Sequence, residues 1–183
     1  MCTDYEGPKP EQKADLERKA RIEIMGFVPR ARIRPTDPAP ILVPEEDAYV
    51  CREMRWGWQV PWDTGLLVNA KSETLTALPT FKPHLDQRCL ILARSFKEGG
   101  AQFYQPDWAL FCLAGLWRDE PGGPRFVMLT TSPNKSVAPF HNRMPFILHP
   151  DQFADWLRVD FLKILTSPDK SPLEKFQPQP ELF

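Results

Sequence analysis

The chain has 183 residues, 42% hydrophobic and 26% charged, with a formal net charge of −1. That length suffices for one domain with its own core, and near-neutrality excludes a global pull toward nucleic acid, so a DNA site must be a local basic groove. Twenty-one prolines, about twice the usual share of ~5%, argue against a helical bundle and for strands joined by Pro-marked turns.

The chain opens "MCTDYEGPKP". Initiator methionine is usually trimmed when the next residue is small, which would leave Cys2 with a free α-amine titrating near ~8 and a thiol near ~8.5. This 1,2-aminothiol can capture an aldehyde: the amine forms a Schiff base and the thiol closes it to a five-membered thiazolidine. The alternative is a cysteine that merely lies in a frayed terminus.

"EQKADLERKARIEIMGF" carries Leu16, Ala20 and Ile24 at i, i+4 and i+8. With Pro10 at the start and Gly26 at the stop, the spacing predicts a helix over about 10–25, close enough to Cys2 to pin the terminus. "RARIRPTDPAPILVP" reads as extended, and "YVCREMRWGWQVPW" as an aromatic-rich strand. "GLLVNAKSETL" reads as a strand end and a polar turn. "RCLILARSF" and "FCLAGLW" read as buried strands, separated by a "KEGGAQFYQPDW" loop turning at Gly99-Gly100. "RFVMLTTSPN" is another strand. "HPDQFADWLRVDFLKIL" places Phe153, Trp156, Leu157 and Phe161 at helical spacing, with Pro150 at its start. The pattern predicts an α+β fold: a curved, mostly antiparallel, barrel-like sheet with flanking helices. One domain is expected over 1–166, followed by a Pro-rich extension or strap over 167–183.

No apolar run approaches the roughly 18 residues of a membrane-spanning helix, and the first twenty residues are charged and polar, so neither membrane association nor a signal peptide is expected. The expected location is the reducing cytoplasm, with Cys51, Cys89 and Cys112 as buried free thiols. With His84, His141 and His149 the cysteines match no zinc spacing, so neither a metal nor a cofactor is expected.

Cys2, "RIRPTDPAPIL", "MRWGWQVPW", "NAKSET", "RCLILARSFKE", "FCLAGLW" and "FHNRMPFIL" follow one another in this order. The series resembles the SOS response-associated peptidase (SRAP) family, proteins that crosslink themselves to abasic DNA. The likeness runs from Cys2 to about Leu157. It implies a single-stranded DNA substrate whose ring-opened abasic aldehyde is captured by the Cys2 amine and thiol. It further implies that Asn69 holds the terminus, Glu98 moves protons at the amine, and His141 protonates the sugar ring oxygen. Lyase or peptidase activity at the same site, and a monomer acting in DNA repair, are implied with it. Candidate phosphate contacts are Arg30, Arg32, Arg34, Arg55, Lys71, Lys97 and Arg143; candidate stacking or pocket-wall residues are Trp58, Trp62 and Phe140.

The chain departs from the family pattern in three places. Thr3 and Asp4 stand where the family has "GR", Lys71 replaces an arginine, and "RSFKEG" replaces "DGFYEW". Asp4 is expected to repel a strand that the family attracts, giving weaker and less salt-sensitive binding that Asp4→Arg would restore. Two other readings stay open: a non-catalytic nucleic-acid or protein-binding module that kept the fold, and a cysteine peptidase using Cys2 and His141.

Overall fold

The computed structural model describes residues 2–46, 48–61, 65–158 and 160–176. In chain order its first elements are β1 (Tyr5–Glu6), α1 (Lys13–Ala20), β2 (Ile24–Met25), β3 (Arg32–Ile33), β4 (Pro38–Glu45) and β5 (Ala48–Trp56). Next come β6 (Trp58–Gln59), β7 (Leu66–Leu67), β8 (Asn69–Lys71), β9 (Arg88–Ala93), β10 (Ser95–Glu98) and β11 (Ala101–Tyr104). The chain ends with β12 (Phe111–Glu120), β13 (Gly123–Thr131), β14 (Met144–Pro145), β15 (Ile147–Leu148), α2 (Phe153–Leu157), α3 (Phe161–Leu165) and β16 (Glu174–Phe176).

β13, β12, β9, β4 and β5 pair in that order, and β5 returns to pair with β13, closing a five-stranded barrel. Only the closing pair, Arg125 against Arg55 and Phe126 against Trp56, is parallel within this ring. A second sheet runs β16-β11-β10-β1-β3. Pleat alternation divides the barrel residues between two cores. Ile41, Ile91, Leu113 and Met128 join Tyr5, Phe96 and Phe103 of the second sheet. Leu42, Leu90, Leu92, Cys112 and Leu129 face the other way, onto Leu16 of α1 and Phe153, Trp156 and Leu157 of α2. The α+β expectation therefore holds, with the sheet bent far enough to close on itself.

Three local expectations are corrected. The first helix stops at Ala20, where Arg21 takes a left-handed φ of 53°. Ile22 and Ile24 are β-branched and favour extended chain, and Ile24–Met25 pairs with Tyr49–Val50 instead. Gly26, at φ 69°, turns the chain after that strand rather than capping the helix. The second helix is two, because the Asp160 side chain accepts from the Lys163 N–H at 3.2 Å and caps a fresh start. The "KEGGAQFYQPDW" loop is largely β-hairpin, Ser95–Glu98 against Ala101–Tyr104 across Gly99-Gly100. Both glycines have positive φ, 55° and 81°, as a two-residue type I′ turn requires.

From 167 to 176 the chain stays on the body. The Asp169 N–H donates to Ile147 O at 3.1 Å, Leu173 is buried, and β16 pairs with β11. Among the described residues no helix is long and apolar enough to cross a membrane.

Candidate active site

Strand pairing, not α1, fixes the terminus. β1 lies between β10 and β3, with Tyr5 opposite Phe96 and Ile33. The Lys97 N–H donates to Asp4 O at 3.0 Å and the Arg94 N–H to Glu6 O at 2.8 Å. α1 could not have done this, because Leu16 packs into the core on the far side of the barrel from Cys2.

The pleat then sorts the side chains. Phe96 and Glu98 share the inward face of β10, while Lys97 takes the outward one. Glu98 is thus buried by continuing an apolar row to the open end of the sheet. On β8, Asn69 stands opposite Met128 and faces the core that holds Cys2. Its Nδ2 donates to Cys2 O at 2.9 Å, while its Oδ1 is buried without a partner among the described residues. Cys2 itself is fully buried, with Sγ 3.6 Å from Asp4 O.

His141 arrives on a loop built by Asn134. The Asn134 Oδ1 accepts from the N–H groups of Ser136 and Val137 at 3.1 and 3.0 Å, and the His141 N–H donates to Val137 O at 3.1 Å. His141 Nδ1 lies 3.0 Å from both the N–H and the carbonyl oxygen of Arg143, and 3.5 Å from Glu98 Oε2. A neutral ring accepts from that N–H, and a protonated ring donates to the carbonyl or the carboxylate. Both protonation states are therefore served without moving the ring. Thr3, Asp4, Lys97, Glu98, Gly99, Gly100 and His141 line a solvent-open cleft of about 300 Å³.

Burial dominates the electrostatics. It pushes the Cys2 thiol up to about 12, with Glu98 and Asp4 adding to the rise. Burial also pushes the Glu98 carboxyl up, against the opposing pull of the chain's terminal ammonium and then of His141. Burial would raise Asp4 too, but hydrogen bonds from Arg32 and the charges of Lys97, Arg32 and Arg34 hold it below the ordinary aspartate value.

Gly99 sets the spacing between Glu98 and His141. A Cβ there would lie 2.3 Å from the Phe140 carbonyl oxygen, whereas one at Gly100 would meet nothing within 4 Å. This is a physical reason for "KEG" in this chain. Both positions carry the left-handed backbone cost, about 1–2 kcal/mol for an L-residue. Gly99→Ala is therefore expected to melt below Gly100→Ala and to slow site chemistry at least about tenfold, since ångström displacements cost this much or more. Equal melting temperatures and rates for the two variants would show that the turn does not space the pair.

The expected DNA contacts separate into groups. Trp58 is corrected: it is fully buried, its N–H donates to Arg125 O at 3.0 Å, and it packs on Phe81 and His84, so it offers no face to a base. Trp62 lies outside the described residues. Arg143 forks onto Glu73 at 2.7 and 2.9 Å and donates to Thr130 O at 2.7 Å, tying the "NAKSET" segment to the His141 loop. Arg30 pairs with Glu53, and Arg55 donates to Thr36 O at 3.2 Å. Lys71 is exposed two residues beyond Asn69 on the same face of β8. Phe140 is half-buried edge-on to Phe103. Arg32 and Lys97 both meet Asp4, so its carboxylate is paired within the protein. The sequence reading missed Glu73, Thr130 and Asn134 as supports; the Asn after "SP" was the available signal, since Asn side chains cap following turns.

Fold and site together define an α+β protein that gathers its second residue, an asparagine, a carboxylate and an imidazole at one rim of a closed barrel. The chain belongs to the SOS response associated peptidase (SRAP) family, whose sequence model matches residues 1–177. It is 33% identical to the abasic site processing protein YoaM of Bacillus subtilis (strain 168), over 68% of this chain and 66% of that protein. It is 32% identical to YoqW of the same strain, likewise named an abasic site processing protein, over 68% of this chain and 67% of that one. The match to YoaM thus spans just under two thirds of that relative's length. In fold it is similar to a crystal structure from Bordetella bronchiseptica, with a TM-score of 0.76 and 22% identity over 95% of this chain and 98% of the other. A phage-related protein of the same organism has a TM-score of 0.76 at 17% identity, over 98% and 95%.

Proposed function

We propose that this chain, once its initiator methionine is removed, binds single-stranded DNA and captures the aldehyde of an abasic site through Cys2. The observation that carries the reading is the grip of Asn69 on the Cys2 carbonyl beside the Glu98–His141 pair. Three distant segments, carrying Asn69, Glu98 and His141, converge there on a residue that a packing role alone would leave unsupported. The names of the relatives YoaM and YoqW support the same substrate.

The chemistry follows from the environments. A thiol held near 12 stays protonated at neutral pH, so the amine attacks first. The Glu98 carboxylate takes a proton from the ammonium, and the neutral amine adds to the aldehyde carbon. The carbinolamine then loses water, with the carboxylic acid returning a proton to the departing oxygen. The Cys2 sulfur adds to the iminium carbon while the thiol proton passes to the regenerated Glu98 carboxylate, closing the thiazolidine. His141 supplies the proton that opens the sugar ring, a task suited to an imidazole served in both states. A cysteine peptidase needs a depressed thiol pKa, and burial here drives the thiol the other way. The test is incubation of Met-trimmed protein with a single strand carrying one abasic site, followed by a denaturing gel. A slow-migrating adduct is expected; its absence would sink the reading.

A further inference from the structure

The outer face of the β1–β3–β10 sheet carries a small charge cluster at the mouth of the cleft. Arg32 Nε lies 3.0 and 3.1 Å from the two Asp4 carboxylate oxygens, and the Arg32 terminal nitrogen also contacts Asp4. Lys97 Nζ is 3.6 Å from the same carboxylate. The backbone holds this arrangement in register, because Glu6 stands opposite Arg32 and the Lys97 N–H donates to Asp4 O. Asp4 and Lys97 line the same cleft as Glu98 and His141.

We propose that Arg32 and Lys97 form a phosphodiester-binding subsite that Asp4 occupies in the free protein, so that a bound strand must displace the Asp4 carboxylate. The subsite rests on the DNA-capture reading and adds to it a self-blocked anion site next to the reacting sugar. A fork and a point charge converging on two oxygens is the geometry a phosphate diester takes, and Asp4 presents two oxygens in its place. The cations are reachable: the Arg32 side chain is 49% exposed and Lys97 43%, against 16% for Asp4. A strand can approach them from solvent without breaking the backbone pairing. Half-exposed ion pairs are weak, so exchange of carboxylate for phosphate is feasible. It follows that Asp4→Arg does not restore affinity as the sequence suggests. It sets a third cation against Arg32 and Lys97, whereas Asp4→Asn frees both.

The experiment measures binding of an undamaged oligo-dT strand at several salt concentrations for the parent, Asp4→Asn and the Asp4→Asn/Arg32→Gln double variant. Asp4→Asn should bind more tightly, and its slope of log affinity against log salt should steepen by about 0.7 for each phosphate gained. One gained contact adds a factor of about 2.6 to the affinity lost between 50 and 200 mM salt, by the same slope. The double variant should fall back to the parent. Coincident slopes for Asp4→Asn and parent, or a gain that survives loss of Arg32, overturn the subsite. Should Asp4→Asn fail to fold, Arg32→Gln alone decides: a slope flatter by about 0.7 supports the subsite, an unchanged slope overturns it. Crosslinking of the parent to an abasic strand, scored separately, reports on the capture reading itself.

Discussion

Cys2→Ala, in a chain freed of its initiator methionine, is expected to lose the stable DNA adduct entirely, a drop of roughly hundredfold or more to background. Alanine keeps the α-amine, so an imine still forms. Without sulfur it cannot close, and the imine returns to aldehyde and amine on hydrolysis. Borohydride should therefore trap the imine of the alanine variant as a secondary amine, while no adduct survives heating without it. A chain that retains Met1 has a peptide nitrogen at residue 2, so no thiazolidine can close there and no heat-stable adduct should form. These three outcomes separate the amine step from the thiol step. The Cys2 side chain is fully buried, so a melting curve of the alanine variant is the needed control. If Cys2→Ala yields as much heat-stable adduct as the parent, the aminothiol mechanism is wrong.

The strands were legible because buried strands announce themselves. "RCLILA" and "FCLAGL" are apolar on both faces, and each strand has a core on either side. A barrel-like sheet was legible, but the pair that closes it was not, since it is one short parallel contact, Arg55–Trp56 with Arg125–Phe126. The length of α1 was overread because Ile24 fits a helical stripe and a strand equally well until its partner Tyr49 is known. The same ambiguity placed Trp58 among the stacking candidates, for aromatic spacing does not say which face of a strand is covered.

At the site, Cys2 came from the chemistry of an N-terminal aminothiol, and Asn69, Glu98 and His141 from order and resemblance; in the structure Asn69 holds the Cys2 carbonyl and Glu98 faces His141. Their supports were hidden because each acts across the chain. Glu73 and Arg143 are seventy residues apart, and their fork joins the two motifs that the sequence offered separately. Asp4 shows the limit most clearly. Its charge suggested repulsion of DNA, but sequence alone could not place Arg32 and Lys97 against it.

Glu98→Gln should slow adduct formation by about 10²–10⁴-fold, the usual worth of a positioned acid–base group, and should also raise the melting temperature at neutral pH. The second half follows from burial. Burial in the folded protein raises the Glu98 carboxyl above its ordinary value of 4.5, with the terminal ammonium and His141 opposing the rise. The native state therefore binds this proton more tightly than the unfolded chain does. Stability is undiminished below the unfolded value and is lost as pH climbs through the folded one, after which the cost is constant. Glutamine keeps the shape and never ionises, so it escapes that cost. The variant and parent should melt together near pH ~4, diverge as pH rises, and stay a fixed distance apart above the folded pKa. Each kcal/mol of relief corresponds to about 2–4 °C for a chain of this size. Such a gap would mark Glu98 as a charge kept in place at the expense of the fold, which a merely solvated hairpin residue would not be. Parallel melting curves at every pH, with capture unslowed, would return Glu98 to the ordinary surface of a turn.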